Sequence, residues 1–579
     1  MNKTIQRRDP DLSLAAFTNS LPKLLEKIYL ARGVSEDSQL EQSLKALHSP
    51  ITMKGLEGAT ARLFEAIEAQ QRVLIVGDFD ADGATSCVVA VMALQAMGLQ
   101  SVDFLVPNRF DYGYGLTPEI VKVATGYRPQ LIITVDNGIS SIDGVSAARA
   151  QGIDVIVTDH HLPGATLPEA NAIVNPNQPG CEFPSKNLAG VGVIFYVMSA
   201  LRTRLREAAW FESQAIAEPN MANYLDLVAL GTVADVVPLD DNNRILVQQG
   251  LRRIRAGRAR PGLLALLDVG GRERNSIVAS DLGFAVGPRL NAAGRLDDIS
   301  LGIQCLLCDS PDLAREMAME LDDLNRDRKA IEGGMQDEAL ASLNKLALNQ
   351  EGGELPWGMC LYDPTWHQGV IGILASRIKD RYHRPVIAFA NSGETEVKGS
   401  ARSIPGLHIR DALDAVATRH PGLLSKFGGH AMAAGMSFDR ARLNDFRQAF
   451  DDEVRRQLTA DDLQACILSD GALAESDLSL GMAETLREAG PWGQHFPEPV
   501  FDGEFYLIQQ RIVGVKHLKL VVATDAQGQQ LLDGIAFNVD LEQWPNEGAE
   551  KVRLAYRLDV NEFRGRRSLQ LMVEYLEAV

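Results

Sequence analysis

Short apolar runs alternate with segments of helical spacing through the first third of the chain. Buried strands are predicted at 72–77 (RVLIVG), 101–107 (SVDFLVP), 131–136 (LIITVD), 153–161 (IDVIVTDHH) and 171–176 (NAIVNP). The segments between these runs repeat their apolar residues at the spacing of helices. This alternation predicts a doubly wound parallel sheet with helices on both of its faces.

Aspartate and histidine residues stand at the ends of three of these strands. In an open α/β sheet the ligand lies beyond the carboxyl ends of the strands, so we expect these side chains to meet there. A further apolar segment, 225–239 (LDLVALGTVADVVPL), predicts a helix that gives way at Gly231 to a turn carrying Asp235. The residues expected to converge are Asp78, Asp80, Asp82, Asp136, Asp159, His160, His161 and Asp235.

The expected convergence of these aspartate and histidine side chains indicates a metal site. Any one aspartate at a strand end is more often structural, because such residues commonly cap a helix or close a turn. Carboxylates gathered away from water, however, repel one another unless cations lie between them. Mixed Asp and His ligands suit Mn²⁺, with Mg²⁺ as an alternative. Five or six candidate ligands exceed what one catalytic ion would use, so we expect two ions, bridged by Asp136 on the central strand.

Two positions in this set leave alternatives open. The segment 78–82 (DFDAD) directs alternate side chains the same way only while the chain stays extended. One of its three aspartates, with Asp78 the least certain ligand, could therefore support the site from outside the metal shell. Asp159 could likewise orient His160 or cap the following turn instead of contacting metal.

The middle of the chain predicts a helix and then a second domain. Residues 311–345 have the pattern of a long charged helix with a possible break at Gly333 and Gly334. This helix is either a connector or a surface helix of the first domain. Strand and helix patterns restart after it, as in a smaller α/β domain. The segment 427–438 (FGGHAMAAGMSF) predicts a glycine-rich turn into a helix whose backbone N–H groups can approach an anion.

From about residue 500 the pattern becomes all-β. Short alternating strands with polar turns predict a small barrel. Basic and aromatic residues are interspersed along it, which suits single-stranded nucleic acid through charge and stacking, although about half of the aromatics are expected in the barrel core. The residues concerned are Lys516, Lys519, Arg564, Arg566, Arg567, Phe505, Tyr506, Phe537 and Phe563.

Composition limits the class of protein. A length of 579 residues is too great for one core and indicates about three or four domains. The net charge of −19 argues against a broad basic surface but not against a narrow basic groove, and an enzyme that gathers metal carries excess carboxylates. No apolar run could span a bilayer, residues 1–20 lack a secretion signal, and the cysteines are scattered, so we expect a cytoplasmic protein with reduced thiols.

Four motifs carry a resemblance to a known family. They are 78–83 (DFDADG), 135–138 (VDNG), 159–161 (DHH) and 231–239 (GTVADVVPL), and in this order they resemble the motifs of the DHH phosphoesterase superfamily. Other segments are similar to the bacterial single-stranded-DNA-specific exonucleases within that superfamily. These segments are 107–116 (PNRFDYGYGL), 287–296 (GPRLNAAGRL), 366–377 (WHQGVIGILASR), 399–403 (GSARS) and 428–435 (GGHAMAAG). The resemblance covers the chain from about residue 40 to its end.

The resemblance implies an architecture of several domains. It comprises a doubly wound DHH domain, a long connector helix, a smaller α/β domain of the DHHA1 type and a C-terminal OB-fold barrel. We expect an N-terminal extension at 1–50, the DHH catalytic domain at 51–305, the connector at 306–348, the DHHA1-like substrate-binding domain at 349–455 and the OB-fold nucleic-acid-binding domain at 456–579.

The resemblance also implies roles for individual residues. The metal ligands would be Asp78, Asp80, Asp82, Asp136, His160 and Asp235. His161 would face the substrate phosphate and, with Asp136, would be catalytic. The residues expected to bind substrate are Arg109, Arg289, His367, Ser400, Arg402, Ser403, Gly428, Gly429 and His430. For any single arginine, an ion pair with one of the many carboxylates is a nearly equal alternative.

The function implied is 5′ to 3′ degradation of single-stranded DNA in repair and recombination, by two-metal-ion hydrolysis of the phosphodiester bond. Bound ions would activate water for in-line attack and stabilise the developing charge. The alternatives are a DHH phosphoesterase acting on short oligonucleotides, cyclic dinucleotides or pyrophosphate, and a non-catalytic single-strand-binding relative. The family resemblance implies a monomer whose partners are a single-stranded-DNA-binding protein and a RecQ-type helicase.

Overall fold

The computed structural model describes residues 3–19, 21–106, 115–349, 355–563 and 565–579. The chain divides into two compact units. The larger unit contains residues 8–325 and 470–579, and the smaller contains residues 3–7 and 326–469. Arg109 and Arg564, two of the predicted binding residues, lie outside the described residues.

The helices and strands are numbered in chain order. The strands are β1 (Thr4–Arg7), β2 (Val73–Gly77), β3 (Val102–Leu105), β4 (Leu131–Val135), β5 (Asp154–Thr158), β6 (Ala172–Val174), β7 (Met359–Tyr362), β8 (Val386–Ser392), β9 (Glu396–Arg402), β10 (Lys426–Gly429), β11 (Ala433–Asp439), β12 (Cys466–Ser469), β13 (Phe501–Val513), β14 (His517–Ala523), β15 (Leu531–Ala536), β16 (Lys551–Phe563) and β17 (Arg566–Ala578). The helices are α1 (Lys23–Leu30), α2 (Leu56–Glu68), α3 (Ala81–Ala96), α4 (Pro118–Ala124), α5 (Ile142–Ala150), α6 (Gly190–Glu207), α7 (Trp210–Ser213), α8 (Leu225–Ala234), α9 (Asp241–Arg255), α10 (Pro261–Val269), α11 (Ala279–Asp281), α12 (Gly287–Leu296), α13 (Ser300–Leu307), α14 (Pro311–Asn349), α15 (Ile371–Tyr382), α16 (Ile409–Arg419), α17 (Leu443–Gln457) and α18 (Leu480–Glu488).

A five-stranded parallel sheet organises the larger unit. Its strands lie in the order β3-β2-β4-β5-β6, all parallel. Successive side chains of a strand point to opposite faces. Val73 and Ile75 accordingly pack in the core on one face, with α2, α3 and α6, whereas Leu74 and Val76 pack on the other, with α4 and α5. The predicted doubly wound sheet is confirmed, and it brings the carboxyl ends of its strands to one edge.

The smaller unit is built on a mixed sheet. Its strands lie in the order β10-β11-β9-β8-β7, with β7 parallel to β8 and the other pairs antiparallel. The predicted turn into a helix at 427–438 is wrong, because β10 and β11 form a hairpin there. Ala434, Met436 and Phe438 are buried at every second position, and this two-residue period is that of a strand.

Helix α14 is continuous from Pro311 to Asn349, so the predicted break at Gly333 and Gly334 is wrong. A Cβ at either glycine would meet nothing within 4 Å, so no neighbour forces the helix apart there. A glycine inside a helix costs only about 1 kcal/mol, which the rest of a long helix can offset. The helix passes from the larger unit to the smaller one after Asn325, and the prediction of a connector is therefore confirmed.

The C-terminal strands form a closed barrel in the order β13-β14-β15-β17-β16, as predicted for an OB-fold. From Arg8 onward the N-terminal segment belongs to the larger unit as well. Arg32 donates to both carboxylate oxygens of Asp470, at 2.9 and 3.0 Å, and the Tyr29 hydroxyl donates to the Ala489 carbonyl. In the described part of the chain, no helix combines the length and apolar character needed to cross a bilayer.

Candidate metal centre and substrate-binding surfaces

The loop between β2 and α3 carries three aspartates. Asp78 directly follows β2 and is buried. Asp80 is the N-cap of α3, and its Oδ1 accepts hydrogen bonds from the backbone N–H groups of Asp82 at 2.9 Å and Gly83 at 3.0 Å. Since the strand ends at Gly77 and the helix begins at Ala81, only a short bend separates Asp78 from Asp82.

The predicted ligands come together in three overlapping groups. In each group, the candidate ligand atoms lie within 4.8 Å of one another. The groups are Asp78, Asp80 and Asp136; Asp82, His160 and Asp235; and Asp136, His160 and His161. His160 Nε2 lies 3.0 Å from Asp136 Oδ1 and 3.5 Å from Asp235 Oδ2. Asp136 and His160 each belong to two of the groups, and of the two only the Asp136 carboxylate has two oxygens with which to bridge a pair of ions.

Asp136 has a backbone conformation that is unusual for a residue with a side chain. Its φ is 61°, in the left-handed region, which aspartate adopts more readily than most residues. The first residue of α6 allows this conformation: a Cβ on Gly190 would lie 2.6 Å from Asp136 Cβ and 2.8 Å from its Oδ1. Gly190 therefore provides the space that the Asp136 carboxylate occupies.

The start of α6 also holds Asp82. The Asp82 carboxylate accepts hydrogen bonds from Gly190 N at 2.6 Å and Val191 N at 2.9 Å. The positive end of a helix dipole favours an anion at this position. Sequence reasoning missed Gly190 and Val191, although the small residues of 189–192 (AGVG) were a usable signal of close packing.

Asp235 is the C-cap of α8, so this helix continues through Gly231 and the predicted end at Gly231 is wrong. A Cβ on Gly231 would lie 2.8 Å from Asp82 Oδ1 and would collide with Thr85 Oγ1. The glycine is thus explained by the close approach of α8 to α3. This packing brings Asp235, one turn further along, next to His160.

Asp159 orients the two histidines. Its Oδ1 accepts from the backbone N–H groups of His160 at 2.7 Å and His161 at 3.1 Å, and it lies 2.8 Å from His161 Nδ1. The other oxygen, Oδ2, accepts from Ile139 N. Burial opposes the charge, but the hydrogen bond from His161 and the charges of both histidines hold the pKa of Asp159 below its usual value. The orienting alternative for Asp159 is the one that the geometry supports.

The electrostatics of the metal-free cluster are unfavourable. Burial, followed by the charges of the neighbouring aspartates, raises the pKa values of Asp136 and Asp235 well above the ordinary range. Burial and Asp80 raise the pKa of Asp82 to about 7. Although burial acts in the opposite direction, the contact with Asp159 raises the pKa of His161 to about 9. Oxygen and imidazole ligands crowded in this way fit divalent cations such as Mn²⁺ or Mg²⁺, which would neutralise the repulsion.

These pKa values predict how the stability of the metal-free protein depends on pH. A group whose pKa is raised by folding loses its stabilising contribution as pH rises through the folded value. Asp82 does so between about pH 3.8 and 7, and His161 between about 6.5 and 9. We therefore expect the melting temperature in EDTA to fall between pH 6 and pH 8.5.

Two comparisons control this melting experiment. The variant Asp136→Asn, which removes one of the repelling charges, should show a shallower decrease with pH. In excess Mn²⁺ the decrease should vanish or reverse, because metal ligands must be deprotonated to bind. A metal-free protein that melts higher at pH 8.5 than at pH 6 would contradict the assigned cluster.

The segment 287–296 supports the aspartate loop. Asn291 Oδ1 accepts a hydrogen bond from Ala81 N at 2.7 Å. Arg289, a predicted substrate ligand, is buried, and its Nη2 lies 2.7 Å from Asp322 Oδ1. This geometry favours the alternative of an ion pair for Arg289 over a direct contact with substrate.

In the smaller unit, Arg402 and Ser400 line a site suited to an anion. Arg402 Nη1 donates to Ser400 Oγ at 3.1 Å and to the Ala401 carbonyl at 2.8 Å. Burial alone lowers the pKa of the guanidinium, and no carboxylate in the described part of the chain pairs with it. A Cβ on Gly372, at the start of α15, would lie 2.9 Å from both side chains. Glycine at position 372 therefore leaves room beside the side chains of Arg402 and Ser400.

The hairpin places a row of small residues beside this site. Gly428 pairs with Gly435, which pairs with Ser400, so the three share one face of the sheet. A Cβ on Gly428 would meet nothing within 4 Å, which leaves an open surface there. Gly429, in contrast, ends β10 with a φ of 143°, a backbone conformation that favours glycine, so its role is in the backbone of the hairpin.

The remaining predicted residues of this unit differ in accessibility. His430 is exposed in the hairpin turn, where its backbone N–H donates to the Ala433 carbonyl. His367 is partly buried ahead of α15, and its Nδ1 accepts from Gly369 N. Ser403 is buried and donates to the Leu407 carbonyl at 2.8 Å. Its geometry favours a structural role over the predicted contact with substrate.

The barrel aromatics divide between core and surface. Phe505 is in the core, whereas Phe537 is 51% exposed and packs edge-on against His517. Tyr506 is half-buried beneath the ammonium group of Lys551. Of the basic residues, Lys516 and Arg566 are exposed, Lys519 lies 3.9 Å from Asp533, and Arg567 pairs with Glu484 at 3.0 Å. The side chain of Phe563 lies outside the described residues.

Comparisons with known proteins agree with this architecture. The sequence matches the DHH family, N-terminal domain over residues 72–232, the DHHA1 domain over 358–456 and the RecJ OB domain over 469–575. It is 57% identical over 576 residues to the single-stranded-DNA-specific exonuclease RecJ of Dickeya dadantii, covering 100% of both chains. It is 56% identical over 570 residues to the RecJ of Escherichia coli, covering 98% of both.

A solved structure with a similar fold contains metal. The crystal structure of RecJ in complex with Mn²⁺ from Thermus thermophilus superposes with a TM-score of 0.77 at 29% identity. The match covers 98% of this chain and 80% of that one. A second structure of the Thermus protein, in complex with Mg²⁺, gives a TM-score of 0.72 at 27% identity, covering 98% of this chain and 79% of that one.

Proposed function

The chain belongs to the RecJ family of single-stranded-DNA-specific exonucleases, and on that premise we propose that it degrades single-stranded DNA from the 5′ end by metal-dependent hydrolysis. The observation that carries the proposal is the convergence of six ligand side chains from four loops, with Asp136 common to two ligand groups. Repair and recombination of DNA are the processes in which we expect this activity.

The ligand groups suggest how two ions would be held. Asp78, Asp80 and Asp136 would hold one ion, and Asp82, His160 and Asp235 would hold the other. Asp136 would also reach the second ion, because its Oδ1 lies 3.0 Å from His160 Nε2. When bound, Mn²⁺ or Mg²⁺ supplies Lewis acidity for attack on phosphorus and for stabilisation of the charge that develops. The chain itself contributes a fixed spacing, because the loops of α3, α6 and α8 contact one another directly.

His161 is suited to contact the substrate phosphate. Asp159 holds its Nδ1, which fixes the orientation of the ring. The raised pKa of His161, about 9, keeps the metal-free imidazole protonated near neutral pH. A protonated ring donates a charge-assisted hydrogen bond to a phosphate oxygen. We assign this contact to His161 and the orienting role to Asp159.

We propose that Arg402 and Ser400 bind the terminal 5′ phosphate. Metal chemistry alone does not set the direction in which a strand is degraded, since two ions could hydrolyse it from either end. A guanidinium that no carboxylate of the described ranges pairs with, next to a hydroxyl and an open glycine surface, matches a phosphate monoester. Arg109, Gly428, His430 and His367 remain further candidates for this contact.

Arg402→Ala is expected to reduce the preference for a 5′-phosphorylated strand over a 5′-hydroxyl strand. Losing a charge-assisted pair costs on the order of 1.5–3 kcal/mol, or about ten- to 150-fold in the ratio of kcat/KM values. The exposed Arg410 of α16 provides the matched control, because Arg410→Ala removes the same charge elsewhere in the smaller unit. An unchanged phosphate preference in Arg402→Ala would exclude Arg402 as the reader of the 5′ end.

We also propose the domain boundaries. Residues 51–305 form the DHH domain, 306–348 the connector, 349–455 the DHHA1-like domain and 456–579 the OB-fold domain. Residues 1–50 precede them as an extension. The matched segments at 72–232, 358–456 and 469–575 support three domains in this order, although residues 456–469 cluster with the smaller unit. Within the OB-fold domain, exposed Phe537 is the preferred aromatic for stacking on a base.

The proposed setting follows from the substrate. A monomer in the cytoplasm, where chromosomal DNA is repaired, would receive single strands from a RecQ-type helicase. Such strands are covered by a single-stranded-DNA-binding protein, which is the other partner we propose.

A nuclease assay with a 3′-labelled single strand tests the proposed function. With Mn²⁺, the labelled fragments should shorten progressively from the 5′ end, and EDTA should stop the reaction. Release of the label at the first time point would indicate the opposite polarity. Equal or faster hydrolysis of a dinucleotide would favour the phosphoesterase alternative, and binding without cleavage would favour the non-catalytic one.

A further inference from the structure

Two asparagines hold the backbone of the histidine pair. The Asn175 side-chain amide donates to the His161 carbonyl at 2.9 Å, and the Asn177 amide donates to the His160 carbonyl at 2.6 Å. Asn175 is fully buried. Both follow β6, the strand next to the one that ends at the histidines. The two hydrogen bonds therefore hold the loop after β5, which carries both histidines, to the segment that follows β6.

The two asparagines act as one unit and reach a second loop. Asn175 Oδ1 accepts from the backbone N–H of Asn177 at 2.7 Å, so each fixes the other. The Asn177 amide also donates to the Lys186 carbonyl at 3.2 Å. Lys186 lies in the segment that leads to Gly190, whose N–H binds Asp82. The backbone of His160 is thus tied to the segment that positions Asp82.

A third asparagine ties this segment to the Asp235 loop. The fully buried Asn243 donates from its amide to the Asn187 carbonyl at 2.6 Å and to the Pro238 carbonyl at 2.9 Å. Pro238 lies three residues after Asp235, and Asn187 lies three residues before Gly190. Its two hydrogen bonds therefore connect the loops that present Asp235 and Asp82.

We propose that Asn175, Asn177 and Asn243 are positioning residues for the metal ligands. Loops beyond the ends of a sheet lack strand partners for their carbonyl groups, so side-chain amides supply the donors. The crowded carboxylates repel one another before any cation binds, and this repulsion pushes their loops apart. The amide contacts oppose that movement and keep the ligand atoms at the spacing that a cation needs. This inference rests on the proposed metal centre.

The alternative is that these asparagines only stabilise the fold, as many buried asparagines do. Asn171 distinguishes the two roles because its side chain, although exposed, also hydrogen-bonds to the neighbouring strand, at the opposite end of the same strand pair. Its Oδ1 accepts from Val155 N at 2.8 Å, and its Nδ2 donates to Asp154 Oδ1 at 2.9 Å. Val155 lies near the start of β5, whereas the histidines follow the end of β5.

The experiment compares Mn²⁺ affinity and melting temperature in Asn175→Ala, Asn177→Ala and Asn171→Ala. Affinity is read from the electron paramagnetic resonance signal of free Mn²⁺ in the full-length protein. Removing a residue that orients metal ligands weakens binding by about ten- to 100-fold, and we expect this loss in the first two variants. Saturating Mn²⁺ should restore most of their kcat. Asn171→Ala should melt lower but bind Mn²⁺ as the parent protein does.

A conservative variant keeps the test decisive if an alanine variant does not fold. Asn177→Ser retains a donor at this partly buried position and should bind Mn²⁺ with intermediate affinity. Parent-like Mn²⁺ affinity in Asn175→Ala and Asn177→Ala would overturn the positioning role while leaving the metal centre intact. An equal loss in Asn171→Ala would overturn it too. A parent protein that binds no Mn²⁺ would overturn the metal centre itself.

Discussion

Replacing Asp136 with alanine is expected to reduce hydrolysis by at least about 1000-fold, while the protein still folds and binds single-stranded DNA. Asp136 shares one ligand group with Asp78 and Asp80, and its Oδ1 lies 3.0 Å from Nε2 of His160, which belongs to the other proposed ligand set, so its removal affects both proposed metal positions. Metal-assisted stabilisation of the transition state is worth several kcal/mol, and each 1.36 kcal/mol corresponds to about tenfold in rate. The measurement is kcat on a single strand, with DNA binding measured separately.

The metal-free variant should melt close to the parent protein, because removal of a repelling charge offsets the cost, about 1–2 kcal/mol, of placing alanine at a φ of 61°. Burial and the charges of the neighbouring aspartates raise the pKa of Asp136, so its carboxylate destabilises the metal-free fold near neutral pH. Asp154→Ala is the matched control, because Asp154 lies at the opposite end of β5 and pairs with Arg62 at 2.7 Å. If the activity of Asp136→Ala stays within about tenfold of the parent, a barrier change of only about 1.4 kcal/mol, Asp136 does not bridge two ions.

Gly190→Ala is expected to reduce activity on the order of 100-fold without removing any ligand. The new methyl group would lie 2.6 Å from Asp136 Cβ, so the carboxylate or the start of α6 must shift. A displacement near 1 Å in a catalytic group can cost about 100-fold in rate. The measurements are kcat and the Mn²⁺ concentration that gives half-maximal activity, which should both change.

Gly192→Ala controls for the general effect of alanine in this turn of α6. A Cβ at position 192 would lie 3.0 Å from Cδ2 of Leu188, and its three nearest atoms all belong to Leu188 and not to Asp136. Its activity should remain close to that of the parent protein. If Gly190→Ala and Gly192→Ala are equally active, the close approach of Gly190 to Asp136 has no consequence for catalysis.

Much of the metal centre could be predicted from the sequence, because the ends of parallel strands are visible in it. Apolar runs stop at Asp78, at Asp136 and before Asp159. Because parallel strands end at the same edge of a sheet, these residues lie at that edge whatever the conformation of the loops that follow. The structure brings this edge together with Asp235, as expected. Family resemblance then narrowed the chemistry to phosphodiester hydrolysis.

The contacts that hold the ligands could not be predicted in the same way. Gly190, Asn177 and Asn243 act through backbone groups of residues distant in sequence, and no local period marks such contacts. The glycines of the segment 427–438 resemble an anion-binding turn and therefore predict the start of a helix. The segment forms a hairpin instead. Its second strand is buried at alternate positions, Ala434, Met436 and Phe438, and pairs with the neighbouring strand β9.

Anomalous diffraction from a crystal of this protein soaked in MnCl₂ would show whether the cluster holds two ions bridged by Asp136. We expect two manganese peaks about 3.5–4 Å apart, the usual spacing of two-metal sites, with Asp136 within coordination distance of both. Asp82, His160 and Asp235 should surround one peak, and Asp78 and Asp80 the other. A single peak, or a pair of peaks that does not share Asp136, would contradict this expectation.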